Sequence, residues 1–365
     1  MKKILLLMLI IVAGQCYAQT TRRITAGMNL QTEIDNATNG DIFIVENGDY
    51  GDLLISKLVS LIGTGYFLGS NTQATPLNAR LGRVNFRVGS SGSFITGFEI
   101  SGNLDISTST ISVTRNNVIN VIRVGINEAG NAWGAIANNI IIKQNLAAKL
   151  LILGQNGASI TGFLCKNNLF KQGFHFAGNI SGEVTNNTFD RDIVGDEIGI
   201  YQFYTSQIQT TGTDGFDGSG ICGKVNIVFK NNIMTNISNW AYACPITSYP
   251  TDIFINNILH GINYTIPNNL GSSNKTITTN DLAVLYVGYP NNPNSLFFDA
   301  RNQLANNSPA KGAGENGTDC GAFGGDEPYV LSGIPSIPTI YQLTVPANVP
   351  QNGTLNVQIK AKTNN

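Results

Sequence analysis

The chain is poor in charge and in histidine. Charged residues make up 12% of its 365 residues, and the formal net charge is −1. Proteins that bind nucleic acid usually carry a strongly basic surface, so no nucleic-acid partner is expected. The two histidines, His175 and His260, lie far apart, and no Ser-His-Asp pattern, phosphate loop or metal-binding cluster accompanies them. Packing in a core or a turn is the expected role of both.

Long apolar runs are also missing. The longest candidate, residues 4–13, has about ten residues, whereas a membrane-spanning helix needs ~20. It follows Lys2 and Lys3 and precedes Ala18, which is the pattern of a secretory signal peptide over residues 1–18. A lipoprotein signal at Cys16 is the alternative, but the residue before Cys16 is not small. We therefore expect a secreted protein, extracellular or at the cell surface, without a membrane span.

Asparagine and glycine are abundant, and asparagine marks an internal repeat. Six segments share an apolar pair, one mostly polar residue, Asn-Asn and further apolar residues. The segments are Val113–Ile119, Ala135–Ile141, Leu164–Phe170, Glu183–Phe189, Val228–Met234 and Ile253–Leu259. Their spacing indicates a period of about 22 residues, and one interval of 45 residues is interpreted as two periods with a degenerate repeat between.

This repeat predicts an all-β fold in which short parallel strands stack repeat on repeat. Asn tolerates the left-handed backbone conformation that a sharp turn between two strands requires. Stacked strands lie ~4.8 Å apart, so equivalent Asn side chains are expected to form a hydrogen-bonded ladder. The apolar residues on either side then fill the interior. Helical periodicity is largely absent between Asn85 and Tyr264, which argues against a helical solenoid.

Both ends of the repeat array carry a different pattern. Apolar residues at Leu30, Ile34 and Ala37 have helical spacing and predict a short N-terminal helical cap. After Tyr329 the chain becomes rich in proline, and two alternating segments predict a C-terminal β-ribbon. We therefore expect a β-helix domain over residues 19–328 and a tail over residues 329–365 that packs on the domain or extends from it.

Segments near both ends of the array resemble a known superfamily. Asn39–Tyr50 and Leu61–Gly65 look like the first repeats of pectate-lyase-like proteins, and Asn307–Gly312 and Asp319–Gly325 look like the segment that closes such coils. The resemblance covers roughly residues 24–329 and implies a right-handed single-stranded parallel β-helix. It also implies that Cys320, where the superfamily usually has Ile, points into the core.

The resemblance leaves the activity open. Related lyases use calcium held by carboxylates and a Lys or Arg that removes a proton from a uronate, and related hydrolases use grouped Asp residues. The Asn-Thr-Asp, Gly-His-Gly and Arg-Ile-Lys motifs of the hydrolases are absent, as is the Trp-Ile-Asp-His motif of one lyase family. Whether the chain is an enzyme is therefore uncertain, and a lyase-like polysaccharide reaction is the expected chemistry if it is one.

One region departs from the repeat and gathers carboxylates and aromatic residues on a predicted loop, where function often lies. The candidate catalytic residues are Asp190, Arg191, Asp192, Asp196 and Glu197; the candidate sugar-binding residues are Tyr201 and Tyr204; the candidate calcium ligands are Asp214 and Asp217. The calcium pattern is weak, because such loops usually carry more oxygen ligands. An ordinary surface excursion is the alternative interpretation.

The residue before an Asn pair suggests a second surface. Arg115, Lys166 and Lys230 hold this position, and strand alternation predicts that they point outward in one strip that binds an anionic glycan. Solvated cations are the alternative. The function expected is that of a secreted carbohydrate-active or glycan-binding monomer whose partner is anionic extracellular polysaccharide, with a lyase-like reaction as one form of it. A non-catalytic structural or adhesion protein of the cell surface or matrix is the competing hypothesis.

Four cysteines remain after the leader, too few for a disulfide scaffold. Cys222 and Cys244 are one period apart and are predicted to stack and form a disulfide, with two stacked thiols as the alternative. Cys165 is predicted to stay reduced and buried.

Overall fold

The computed structural model describes residues 19–70, 77–129, 134–171, 174–190, 225–235, 254–260, 271–279, 281–289, 299–349 and 351–364. The predicted leader lies outside this part. The described residues form one α-helix, α1 (Leu30–Asp35), five short 3₁₀ segments and many short strands. The 3₁₀ segments are Leu68–Ser70, Leu282–Val284, Asp299–Asn302, Glu315–Gly317 and Leu331–Gly333. No helix in the described part is long and apolar enough to cross a membrane.

The strands are, in chain order, β1 Thr21–Ile24, β2 Asp41–Val45, β3 Gly48–Asp49, β4 Leu53–Ile55, β5 Val59–Ile62, β6 Ala79–Leu81, β7 Val84–Phe86, β8 Phe94–Thr96, β9 Glu99–Ile100, β10 Leu104–Ile106, β11 Ser112–Thr114, β12 Asn117–Val124, β13 Ile141–Lys143, β14 Leu146–Lys166, β15 Leu169–Phe170, β16 Phe174–Thr185, β17 Thr188–Phe189, β18 Val225–Lys230, β19 Ile233–Met234, β20 Phe254–Ile255, β21 Ile258–His260, β22 Gly271–Ser272, β23 Lys275–Ile277, β24 Thr339–Thr344 and β25 Gln358–Lys362.

The described strands from β1 to β23 pair in parallel, each with an equivalent strand of the next repeat. A first row runs through β4, β7, β10 and parts of β12, β14 and β16. A second row begins with β2, β5, β8 and β11 and continues to β18, β20 and β22. A third includes β15, β17, β19, β21 and β23. The fold is all-β, and this pairing is compatible with a parallel β-helix.

The predicted asparagine ladder is present, with a different register at two repeats. Each ladder Asn donates to the side-chain oxygen of the next, as Asn168 does to Asn187 over 2.9 Å. The ladder residues are Asn116, Asn145, Asn168, Asn187, Asn232, Asn257 and Asn274. The pair at 138–139 lies in another turn, where Asn138 accepts from the Thr161 N–H. In this repeat Gln144 and Asn145 occupy the turn and ladder positions instead, because the pairing of the adjacent strands places the turn there.

The residue before each ladder Asn has the left-handed backbone. Asn167, Asn186, Asn231 and Asn256 have φ near +54°, and Arg115, Gln144 and Ser273 hold the same position in their repeats. In these four Asn pairs the two residues therefore have separate roles: the first makes the turn and the second forms the ladder. Arg115 is the turn residue of its own repeat. It therefore corresponds to Asn167 of the later repeat and not to Lys166, which comes one position earlier.

The described strands on either side of the interval of 45 residues are direct neighbours. Thr188 pairs directly with Ile233, and the Asn187 N–H donates to the Asn232 side chain over 2.8 Å. The prediction of a degenerate repeat is wrong, since chain inserted between two strands lengthens the interval without separating the strands.

The core is continuous along the stack from Ile24 to Leu259. Stacked aromatic rings form part of this core. The ring centroids of Phe170 and Phe189, for example, are 5.2 Å apart. Cys165 and Cys320 are free, buried thiols, which confirms the prediction for Cys165 and the inward position expected of Cys320. Burial raises the pKa of the Cys320 thiol to about 12 and that of Cys165 further.

The predicted N-terminal helix is present as α1. Asn29 caps it by accepting from the Thr32 N–H over 3.0 Å, and Leu30 and Ile34 are buried in the core. Because the first strands would otherwise expose an open edge, this helix covers the start of the core.

The C-terminal part returns along the stack as a strap, residues 315–334. It crosses the left-handed turns one after another: Asn231 accepts from the Glu315 N–H, Asn167 donates to Ala322 and Gly324, and Gln144 donates to Pro328. Tyr329, where the composition changes, is buried within it. Beyond the strap, β24 and β25 form an antiparallel ribbon.

Candidate functional site

Four polar residues follow the third row of strands on successive repeats. Lys171, Asp190, Thr235 and His260 each come directly after the paired residues Phe170, Phe189, Met234 and Leu259. The paired residues point into the core, so alternation places the next residue on the outer side. We call these four residues the polar column.

Asp190 is the best-connected member of the polar column and is only 6% exposed. Its Oδ1 accepts from the Thr235 hydroxyl at 2.6 Å. Its Oδ2 accepts from the Tyr289 hydroxyl at 2.6 Å and from the Asn302 amide at 2.5 Å. Tyr289 and Asn302 come from the segment that follows the repeats. This segment therefore covers the column.

His260 is fully buried, and no side chain of the described residues is a hydrogen-bond partner of its ring nitrogens. Burial lowers the pKa of His260, although the Asp281 backbone and the Asp190 and Asp281 carboxylates act in the opposite direction. The ring is therefore neutral at pH 7, with one nitrogen able to accept a proton. A buried polar group of this kind occurs more often at functional sites than elsewhere.

A small pocket that is open to solvent lies beside Asp190. Its lining residues are Leu146, Leu169, Phe170, Lys171, Thr188, Asp190, Tyr289, Arg301 and Asn302. The Arg301 guanidinium lies 5.5 Å from the centre of the Tyr289 ring, an arrangement that fixes both side chains. A carboxylate, an amide, a phenol and a guanidinium on an apolar floor offer both donors and acceptors to a hydroxyl-rich ligand.

Arg115 does not belong to an exposed strip. It is 9% exposed, and its guanidinium donates to Gln144 at 2.9 Å, to the Ile334 carbonyl at 2.9 Å and to the Asn364 carbonyl at 3.1 Å. Its predicted outward position is wrong, because its place in the turn directs it under the C-terminal part of the chain. Thr114 occupies the register position of Lys166 in the repeat of Arg115, and Lys143 occupies it in the next repeat.

Lys166 and Lys230 share a row, but both are ion-paired with the strap. Lys166 lies 2.5 Å from Asp326 and 3.1 Å from Glu327, and Lys230 pairs with Glu315. Partial burial disfavours charged Lys166, but its hydrogen bonds to Asp326 and Glu327 prevail and raise its pKa. The free cationic strip predicted from sequence is therefore wrong: the strap, distant in sequence, neutralises it.

The remaining predicted residues lie outside the described part of the chain. They are Arg191, Asp192, Asp196, Glu197, Tyr201, Tyr204, Asp214, Asp217, Cys222 and Cys244. The calcium site and the disulfide therefore stay predictions. The described residues themselves contain no group of three or more His, Cys, Asp or Glu side chains suited to a metal ion.

A regular sequence position marks the polar column. Each member is the third residue after a ladder asparagine, as Asp190 follows Asn187 and His260 follows Asn257. No comparable pattern marks Tyr289, Arg301 or Asn302, because only chain folding brings their segment onto the column.

Comparison with known proteins adds no relative. No protein-family model matches the chain, and no curated protein matches it significantly.

Proposed function

We propose that this chain is a secreted carbohydrate-active or glycan-binding protein built on a right-handed single-stranded parallel β-helix. The parallel pairing of successive repeats and the ladder of buried asparagines support the coil. The apolar run at residues 4–13 with its basic start supports export. Direct N-terminal sequencing of the exported protein tests the leader, with Gln19 as the expected first residue.

The polar column carries the functional part of the proposal. Asp190, Thr235 and His260 lie on adjacent repeats, and the Tyr289 and Asn302 side chains converge on Asp190. Burying this many polar groups is costly unless their hydrogen bonds are satisfied or a ligand uses them. A saccharide matches the site because its hydroxyls both donate and accept.

Binding to a panel of extracellular polysaccharides tests this proposal. We expect Asp190→Asn to weaken binding by about tenfold or more, since it removes a charged hydrogen-bond acceptor. Tyr289→Phe, which deletes one hydroxyl, should weaken it less. The matched control is Asp49→Asn, because the Asp49 side chain is 78% exposed and far from the column in sequence. Equal affinities for all variants, or no polysaccharide bound, would rule the site out.

Catalysis is tested separately on uronate polymers with calcium present. A lyase-like reaction produces unsaturated sugars that absorb in the ultraviolet, and we expect Asp190→Asn to abolish that absorbance. Binding without product formation would leave a glycan-binding protein that is not a lyase.

The structural or adhesion role is the second candidate. The continuous core and the strap that crosses successive turns favour a stiff rod, which is what such a role needs. Failure of every glycan to bind, together with retention of the protein on the cell surface, would favour this role.

A further inference from the structure

The outer face of the first strand row carries several cations. Val84 and Phe86 on β7, Ile122 and Val124 on β12, and Leu150 and Ile152 on β14 point into the core. Strand alternation then places Arg83, Arg123 and Lys149 on the outer face. These residues differ from the strap-paired lysines of the second row.

Two of these cations are held in place by one buried carboxylate. Asp105, fully buried on β10, accepts from Arg83 Nε at 2.6 Å and from Arg123 Nε at 2.6 Å. Arg123 adds a second bond from Nη2 at 2.9 Å, so its guanidinium plane is fixed. One carboxylate therefore orients two guanidinium groups, each of which retains further N–H donors. Asp52, at the margin of the face, accepts from the Arg83 backbone N–H.

Lys149 provides a third cation without a counter-ion. It pairs with Val121, two residues before Arg123, on the neighbouring strand. It is partly buried and makes no hydrogen bond or ion pair within the described residues, and burial lowers its pKa. A desolvated ammonium with no partner destabilises a fold unless an anion joins it.

We propose that Arg83, Arg123 and Lys149 form an anion-binding site that takes a carboxylate or sulfate group of a bound glycan. Planar guanidinium groups suit these anions, because each presents paired N–H donors to two oxygens. The site rests on the proposed function only for the glycan that carries the anion. Its capacity to bind a small anion is independent of the polar column.

Inorganic sulfate tests the site directly. The melting temperature of the mature protein is measured in sodium sulfate and in sodium chloride of equal ionic strength. We expect an added stabilisation in sulfate that Lys149→Met loses and Lys149→Arg keeps. The control is Arg80→Met, which removes an exposed cation that pairs with Glu99 in another row and should leave the sulfate effect intact. An equal sulfate effect in Lys149→Met and the wild type would overturn the site.

The melting temperature in the absence of sulfate distinguishes a binding role of Lys149 from a structural one. Since Lys149 has no partner, we expect Lys149→Met to melt at the same temperature as the wild type in chloride, or higher. A lower melting temperature would show that Lys149 supports the fold, which contradicts the proposal.

Charged oligosaccharides then identify the source of the anion. We expect a uronate or a sulfated oligosaccharide to bind about tenfold more weakly to Lys149→Met than to the wild type, with a neutral oligosaccharide unaffected. If Asp190→Asn abolishes all glycan binding while the sulfate effect persists, both proposals stand. If Asp190→Asn has no effect but Lys149→Met does, only the polar column fails. Selective binding of neutral glycans would refute the anion site.

Discussion

At the scale of single residues, the paired asparagines divide two tasks that one residue type performs well. The first adopts a left-handed backbone, which Asn tolerates at modest cost. The second is fully buried in most repeats and satisfies both its amide group and the neighbouring backbone. Asn168, for example, donates to the Ile142 carbonyl at 2.8 Å and accepts from the Asn145 N–H at 2.8 Å.

We expect Asn168→Leu to destabilise the protein by about 3 kcal/mol, because it leaves buried donors and acceptors of neighbouring residues without partners. Asn120→Leu is the control. Asn120 is exposed on β12, and the hydrogen bond from its amide to the Ser101 carbonyl is long at 3.3 Å. The free energy of unfolding of the Asn120→Leu variant should differ from that of the wild type by no more than about 0.5 kcal/mol. Denaturant titration of both variants gives the comparison, and equal midpoints would argue against a stabilising ladder.

At the scale of elements, the strap explains why the cationic row is not a binding surface. It supplies Glu315, Asp326 and Glu327 to lysines of the second row and backbone carbonyls to the turn residues. Exposed ion pairs contribute little to stability on their own. The buried hydrogen bonds from Asn167 and Gln144 therefore carry most of the attachment.

The strap depends on a close approach at Gly324. A Cβ there would lie 1.9 Å from the Asp319 carbonyl oxygen, so Gly324→Ala must displace the strap. We expect it to cost about 2 kcal/mol, in the range of other overpacked sites. Gly69→Ala is the control, because a Cβ at Gly69 meets nothing within 4 Å. Thermal unfolding compares the two, and a Gly324→Ala variant as stable as Gly69→Ala would show that the strap adapts freely.

At the scale of the whole molecule, stability comes from many equivalent contacts between neighbouring repeats. Each strand pairs with the repeat before and the repeat after, and the core runs on without a break from Ile24 to Leu259. The α-helix of the described residues has 6 residues. The remainder of the regular structure is almost wholly parallel strand.

We expect circular dichroism of the protein to be dominated by β-structure. This expectation rests on the succession of parallel strand pairs on both sides of the long insertion that follows Asp190. A helix content above about a third, the typical share in globular proteins, would contradict the fold.

The sequence by itself determined the repeat, the left-handed turns, the asparagine ladder, the helical cap and the burial of Cys165. All of these follow from interactions that recur once per repeat or lie within one turn, so residue spacing reports them. The register failed at Ala135–Ile141, where the segment matched the repeat pattern but the strand pairing placed Gln144 and Asn145 in the turn.

The candidate site was decided by the tertiary structure. Asp190 was predicted from its local cluster, but its partners Tyr289 and Asn302 lie about 100 residues further along the chain. Lys166 and Lys230 were expected to be free, and the strap that neutralises them comes from residues 315–334. Contacts of this kind depend on how the chain returns over the stack. No periodic pattern encodes that return, because its residues contact the repeats without being part of them.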